Sequence, residues 1–76
     1  MAQKFAVGDK VRFLVSQYAP DLEGNDIEVA ICEEGTIIGI DMSKLYPYSV
    51  NVEGKPIDYW DDAAWHMDAH ELELVA

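Results

Sequence analysis

Basic residues and cysteine are both scarce in this sequence, and each shortage excludes a class of function. Five Lys and Arg residues stand against 15 Asp and Glu residues, which gives a formal net charge of -10 at pH 7. Such a surface repels phosphate backbones, so direct nucleic-acid binding is disfavoured and a partner protein with a basic surface is favoured. The single cysteine excludes an internal disulfide and a multi-cysteine zinc site.

Long apolar runs are also missing. The first residues, MAQKFAVGDKVRF, lack the apolar stretch of a secretory signal, and no segment approaches the roughly 20 apolar residues that cross a bilayer. With a lone cysteine, this favours a cytoplasmic protein that makes no membrane contact. We expect that cysteine, Cys32, to be a small buried side chain because an aliphatic residue precedes it.

The length allows one hydrophobic core and no more. A chain of 76 residues buries too little surface to divide between two cores. Half of its residues are hydrophobic and 11% are aromatic, which is typical of a folded chain and not of a disordered one. We therefore expect a single domain over residues 1–76.

Short apolar runs separated by turn residues predict strands. The runs at residues 10–15, 48–52 and 70–76 alternate apolar with polar side chains, and residues 36–40 are β-branched and nearly continuous. Residues 33–54 have the pattern of a hairpin. The predicted inward-facing residues are Val11, Phe13, Ile38, Val50, Val52 and Leu72.

Two further features refine this picture. Gly39 interrupts a good strand, and a glycine there indicates a bulge at which a small sheet bends. Residues 56–67 are the least strand-like segment, and residues 61–72 could form a turn or two of helix capped by Asp61 or Asp62.

The order of motifs resembles the SH3-like small barrel. VGDKVRF, a long polar loop, EEGTIIGID, YPYSVNVEG, an aromatic and acidic stretch and DAHELELV follow one another over almost the whole chain. Among such barrels it is most similar to the small extrinsic, ferredoxin-docking subunits of photosystem I. The resemblance implies an all-β, SH3-like five-stranded barrel with a long first loop and a short helical turn before the last strand.

The resemblance does not extend to function, because fold alone does not specify activity. The photosystem subunits use basic surface residues to meet an acidic redox protein, whereas this sequence is acidic where such a surface needs lysine and arginine. Its acidic residues are concentrated at positions 21–34 and 56–76, and neither range contains a lysine or an arginine.

Aromatic and acidic residues together form the best candidate site. A small barrel cannot bury all the rings, and exposed rings beside carboxylates favour a partner segment with apolar and basic residues. Alternatively, Trp60 and Trp65 plug the ends of the barrel. The predicted partner-binding residues are Tyr18, Asp21, Glu23, Asp26, Glu28, Tyr59, Trp60, Asp61, Asp62 and Trp65.

A metal site is the alternative from another class. His66 and His70 are four residues apart, which on a helix would place both imidazoles on one face, with Asp62 one turn earlier. No HExxH pattern surrounds them, so we predict neither a metal nor another cofactor.

No catalytic constellation is present in the sequence. Adjacent carboxylates such as Glu33 and Glu34 point to opposite faces of a strand, and no glycine-rich phosphate loop occurs. We therefore predict a non-enzymatic, acidic protein-interaction module. A sharper hypothesis is a phage-like inhibitor that mimics the charge of DNA and binds a basic host protein or defence enzyme. The alternatives are an accessory subunit of a larger complex, or a small metal- or ligand-binding barrel using His66 and His70.

Overall fold

Seven strands and one turn of 3-10 helix make up the computed structural model, which describes residues 5–58 and 63–75. Strands β1 to β4 span Lys10–Phe13, Gln17–Pro20, Asp26–Val29 and Glu34–Ile40. Strands β5 to β7 span Tyr48–Asn51, Trp65–Met67 and Leu72–Leu74, and the 3-10 helix spans Ala69–Glu71. The predicted all-β class is confirmed.

The strands form two sheets in an arrangement compatible with a small β-barrel-like domain. Five antiparallel strands pair in the order β6-β5-β4-β1-β7, while β2 and β3 form a separate hairpin in the long first loop. The 3-10 helix directly precedes the last strand, as expected. Among the described strands, β6 and β7 remain the two edges, so the sheet curls without closing through strand pairing.

A bulge in β4 bends this sheet at the predicted glycine. The register between β4 and β5 shifts between Ile37 and Gly39. Before the shift Ile37 is fully buried, and after it Ile40 packs partly against the core. The prediction that Ile38 faces inward is wrong, since its neighbour Ile37 takes the inward position and Ile38 is 45% exposed.

The core lies on the concave face of the sheet and beneath the hairpin. Strand β5 alternates as predicted, with Tyr48 and Val50 buried. Two edge-to-face ring pairs fill the interior, Phe5 with Tyr48 at 5.2 Å and Phe13 with Trp65 at 6.4 Å between centroids. Such pairs stabilise a core beyond the area that they bury.

The helix predicted for residues 61–72 is wrong over most of its described part. Residues 65–67 form β6, which pairs with β5 and buries Trp65 and Met67 on the inner face. Helical structure is confined to Ala69–Glu71, where Asp68 caps it by accepting a hydrogen bond from the Ala69 amide at 2.7 Å. Strand pairing with burial on alternate residues outweighs the local helix propensity of this segment. The proposed caps Asp61 and Asp62 lie outside the described residues.

The long first loop contains a hairpin that we did not predict. Its register pairs Tyr18 with Glu28 and Ala19 with Ile27. The Asp21 carboxylate closes the turn by accepting hydrogen bonds from the amides of Glu23 and Asn25, both at 2.9 Å. An amide-to-carbonyl bond from Asp58 to Pro20 at 2.9 Å then fastens the hairpin to the body of the domain.

Candidate functional site

A groove runs between the β2–β3 hairpin and the far edge of the main sheet. It is an open cavity of about 280 Å³. Strand β2 forms one wall, β6 the floor, and the 3-10 helix and the β4–β5 loop the ends. The lining residues, which define the groove below, are Gln17, Tyr18, Ala19, Tyr46, Ile57, Trp65, His66, Met67 and Glu71.

Two exposed tyrosines form the sides of the groove. Tyr18 is 69% exposed because period-two alternation on β2 turns Ala19 into the core and Tyr18 outward. Tyr46 is 44% exposed and precedes the buried Pro47, after which Tyr48 enters the core. The side chains of both tyrosines are thus available to contact a ligand with their apolar faces.

The carboxylate of Glu71 is held in place at one end of the groove. One oxygen, Oε1, accepts a hydrogen bond from the Asp68 amide at 2.9 Å. The other, Oε2, accepts one from the Gln17 amide group at 3.1 Å. The second of these bonds joins the 3-10 helix to the hairpin, so the charge has a fixed position relative to both walls.

A second carboxylate stands beside the first tyrosine. The Glu28 carboxylate accepts a hydrogen bond from the Tyr18 hydroxyl and, through that bond and its charge, raises the pKa of the phenol. Of the described residues that line the groove, Glu71 is charged negatively and none is Lys or Arg. The electrostatic environment therefore favours a cationic ligand.

An apolar recess continues the groove at its other end. This recess, about 320 Å³ in volume, is lined by Lys44, Leu45, Tyr46 and His66. Because Tyr46 and His66 line both cavities, the groove and the recess form one continuous surface. On the recess floor, Nε2 of His66 lies 3.4 Å from the Ser49 hydroxyl oxygen.

The β4–β5 loop that forms this recess has a defined conformation. Asp41 accepts hydrogen bonds from the hydroxyl of Ser43 at 2.6 Å and from its amide at 3.1 Å, and these bonds lower the pKa of the Asp41 carboxyl. The Asp41 amide in turn donates to the Pro47 carbonyl at 2.8 Å. The loop leaves Met42 57% and Leu45 78% exposed, so it presents apolar surface to solvent.

Half of the predicted partner-binding residues lie on the hairpin. Glu23, Asp26 and Glu28 are exposed there with Tyr18, whereas the Asp21 carboxylate is occupied by the turn that it closes. Tyr59, Trp60, Asp61 and Asp62 lie outside the described residues. The hairpin thus brings together the first part of the predicted set.

The expectation that Trp65 presents an exposed ring is wrong. Its side chain is 3% exposed, packs edge-to-face on Phe13, and donates a hydrogen bond from Nε1 to the Lys55 carbonyl at 3.0 Å. The alternative, in which this tryptophan fills the core, is the one that the structure supports for Trp65. Trp65 also lines the groove.

The two histidines do not lie on one helical face. His66 is on β6 and His70 is in the 3-10 helix, where its Nδ1 lies 3.5 Å from the Asp68 carboxylate. Within residues 5–58 and 63–75, no group of three or more potential ligands is arranged to hold a metal. The geometry that motivated the metal-site alternative is therefore absent from this part of the chain.

Cys32 is exposed, contrary to prediction. It occupies the turn before β4 with a φ of 77°, a left-handed conformation that directs its side chain to solvent. Its amide donates to the Phe13 carbonyl at 2.8 Å, so the turn is tied to β1. An aliphatic predecessor did not indicate burial because Ile31 is itself 58% exposed.

Two basic side chains have acidic partners outside the hairpin. Arg12 lies 3.3 Å from Glu73 and 3.7 Å from Glu34 on neighbouring strands. Lys55 binds Glu33 at 2.8 Å, and its ammonium also donates to the Glu28 backbone carbonyl on the hairpin at 2.6 Å. In the described part of the chain the carboxylates of Glu23, Asp26 and Glu28 form no salt bridge.

Several residues of the groove and the recess were not predicted from the sequence. Gln17, Leu45, Tyr46 and Glu71 were not predicted as binding residues, although the apolar and aromatic loop sequence MSKLYPY was an available signal for two of them. Glu71 could not be selected without the structure, because its position depends on the contact with Gln17 across 54 residues of sequence.

Comparison with protein-family models, with curated proteins and with solved structures found no match. No helix in the described residues is long and apolar enough to span a membrane.

Proposed function

We propose that this protein is a non-enzymatic interaction module that binds a basic and apolar segment of another protein in the groove. The composition of the groove supports this most directly. Two exposed tyrosines form its sides, a fixed carboxylate lies at one end, and none of the described lining residues is lysine or arginine. Aromatic faces attract cations, and the adjoining recess offers apolar contact.

The open shape of the site favours a protein segment over a small molecule. Sites for small ligands and cofactors are mostly enclosed clefts of about 300–1,000 Å³ with convergent polar groups. The groove is instead open to solvent and continues into the recess along the surface. An extended peptide matches such a shape because alternate side chains enter successive depressions.

Affinity measurements on a peptide panel test this proposal. Peptides of equal length would contain basic residues only, apolar residues only, or both, and binding would be followed by fluorescence polarisation. We expect the mixed peptide to bind most tightly. Its affinity should persist in part as salt rises from about 50 to about 300 mM, because the ring contacts are not screened.

A matched pair of variants locates the contact. Tyr18→Ala should weaken binding of the mixed peptide about tenfold by removing one ring of the groove. Leu22→Ala is the control, since Leu22 is 60% exposed at the tip of the same hairpin but does not line the groove. Equal affinity for Tyr18→Ala and the unaltered protein would refute the groove as the binding site.

The DNA-mimic inhibitor is a second candidate, favoured by the exposed hairpin carboxylates. Glu23, Asp26 and Glu28 project from one short element, and the whole chain has a net charge of -10. In this version the protein competes with duplex DNA for a basic DNA-binding protein, and replacement of all three carboxylates by glutamine abolishes the competition. Retained competition by that triple variant would exclude the hairpin as the mimic.

A further inference from the structure

We propose that one partner segment binds at two points, with an arginine side chain against Glu71 in the groove and a large apolar side chain in the recess. This inference rests on the proposed function, because it specifies the ligand of the same groove. It follows from the different chemistry of the two ends and from the residues that join them.

The Glu71 end suits a guanidinium group. Each oxygen of this carboxylate already accepts one hydrogen bond, at 2.9 Å from Asp68 and at 3.1 Å from Gln17. A carboxylate has about four acceptor positions, so one on each oxygen remains for a ligand. The planar guanidinium of arginine donates two parallel hydrogen bonds to such a pair and also stacks on a ring such as Tyr18. A lysine ammonium can also reach both oxygens of a carboxylate, as Lys55 does on Glu33, but it lacks the planar face that stacks on a ring.

The recess end suits an apolar side chain. Leu45 is 78% exposed and forms its wall with Tyr46 and the aliphatic stem of Lys44. None of the described residues that line the recess is Asp or Glu, in contrast to the other end. A large apolar side chain placed there would remove leucine and tyrosine surface from water.

Tyr46 and His66 join the two contacts. Both residues line the groove and the recess, so a ligand that occupies both must pass over them. Because the ends differ in chemistry, a ligand with only arginine or only an apolar side chain can occupy one end alone. The groove and the recess together therefore favour a segment that carries both side chains at a matching separation.

Charge favours a different protein over a second copy of this chain. Two copies, each with a net charge of -10, repel one another. The one arginine of the sequence, Arg12, is already held between Glu34 and Glu73 on the β1 side of the sheet. A partner that supplies a free arginine is thus the occupant that complements this surface.

Double-mutant cycles with labelled peptides test the inference. The probes are glycine–serine peptides with one arginine and one leucine at several separations and in both orders. We expect one separation to bind several-fold more tightly than shorter ones, because only then can both side chains reach their sites. Replacing the peptide arginine with citrulline should lower the affinity for the unaltered protein but not for Glu71→Gln, a substitution that keeps the capping box. Replacing the peptide leucine with alanine should lower the affinity for the unaltered protein but not for Leu45→Ser.

The matched pairs, peptide arginine with Glu71 and peptide leucine with Leu45, should show coupling of about threefold or more in affinity. The crossed pairs should show almost none. Equal affinity at every separation, or equal coupling in matched and crossed pairs, would overturn the two-point model while peptide binding in the groove still stood. Binding that is insensitive to Tyr18→Ala would overturn the proposed function itself. The citrulline comparison needs no protein variant, so it remains decisive if Glu71→Gln does not fold.

Discussion

Gly35 lies where strand β4 approaches β5 closely. A Cβ atom at this position would lie 2.6 Å from Cγ1 of Val50 and 2.8 Å from the Asn51 carbonyl oxygen. Since the second atom belongs to the backbone, the strands must move apart to accept a methyl group. We predict that Gly35→Ala lowers the free energy of unfolding by roughly 1–3 kcal/mol, measured by chemical denaturation.

Gly39 provides the control for this prediction. A Cβ there would meet Ser49 at 3.6 Å, an ordinary contact distance. Gly39→Ala should therefore change the free energy of unfolding by less than about 1 kcal/mol. Equal destabilisation by the two substitutions would contradict the close approach at Gly35.

Cys32 is strained by its backbone conformation. With a φ of 77° it lies in the left-handed region, which costs a residue with a Cβ roughly 1–2 kcal/mol relative to glycine. Replacing Cys32 with glycine would relieve this strain, but part of the stabilisation is lost because glycine has more conformational freedom in the unfolded chain. We predict that Cys32→Gly raises the free energy of unfolding by roughly 0.5–1 kcal/mol, as read from urea midpoints. Cys32→Ala keeps the Cβ and should have little effect, so stabilisation by alanine to the same extent would argue against backbone strain.

At the scale of elements, Lys55 joins three parts of the chain. Its Nζ binds both oxygens of Glu33, at 3.0 and 2.8 Å, and donates to the Glu28 carbonyl. Its own carbonyl accepts from Trp65 on β6. Lys55 therefore links the hairpin and the turn before β4 through its side chain, and the strand that forms the floor of the groove through its backbone carbonyl.

The link makes stability depend on pH in a defined sense. The hydrogen bond from Lys55, with a second from the Ala30 amide, lowers the pKa of Glu33 below 4.5 in the folded protein. A carboxyl with a lowered folded pKa stabilises the protein above its unfolded pKa and loses that contribution as pH falls through the folded value. The free energy difference between the unaltered protein and Glu33→Gln should thus be largest near neutral pH.

Denaturation of both proteins as a function of pH tests this. The difference should shrink as pH falls below about 4.5, and it should be moderate because the pair is partly exposed. Glu73→Gln removes the more exposed pair with Arg12 and serves as the control, with little expected effect at any pH. A difference for Glu33→Gln that stays constant down to acidic pH would contradict the role given to Lys55.

Strands β1, β5 and β7 and the bulge at Gly39 could be predicted from sequence because each follows from local pattern. The predicted alternation holds in β1 and β5, whereas in β7 Leu72 is buried but Leu74 is 53% exposed.

Strand β6 was not predicted, since only its pairing with β5 makes Trp65 and Met67 an inward-facing pair. The β2–β3 hairpin had a usable signal that we missed, the alternation of acidic and aliphatic residues in Asp26–Val29. Of the groove residues, Tyr18 and Trp65 were in the predicted partner-binding set. The others could not be selected because they meet through long-range contacts.

At the scale of the whole molecule, the net charge of -10 opposes compaction. Repulsion among carboxylates is spread over the surface and is screened once the Debye length falls from about 30 Å at 0.01 M to about 10 Å at 0.1 M salt. We predict that the melting temperature rises by a few degrees over this range of sodium chloride. A fall instead would show that the ion pairs of Arg12 and Lys55 outweigh the general repulsion.

The central claim is that the groove, and not the charged surface at large, recognises the partner. The most direct measurement is an amide chemical-shift map of the labelled protein during titration with a peptide that contains arginine and leucine. We predict shifts at residues 17–19, 45–46, 66–67 and 71, with little change around Arg12 on β1. Shifts spread over the acidic surface without a maximum at these positions, or no shifts at all, would contradict the account.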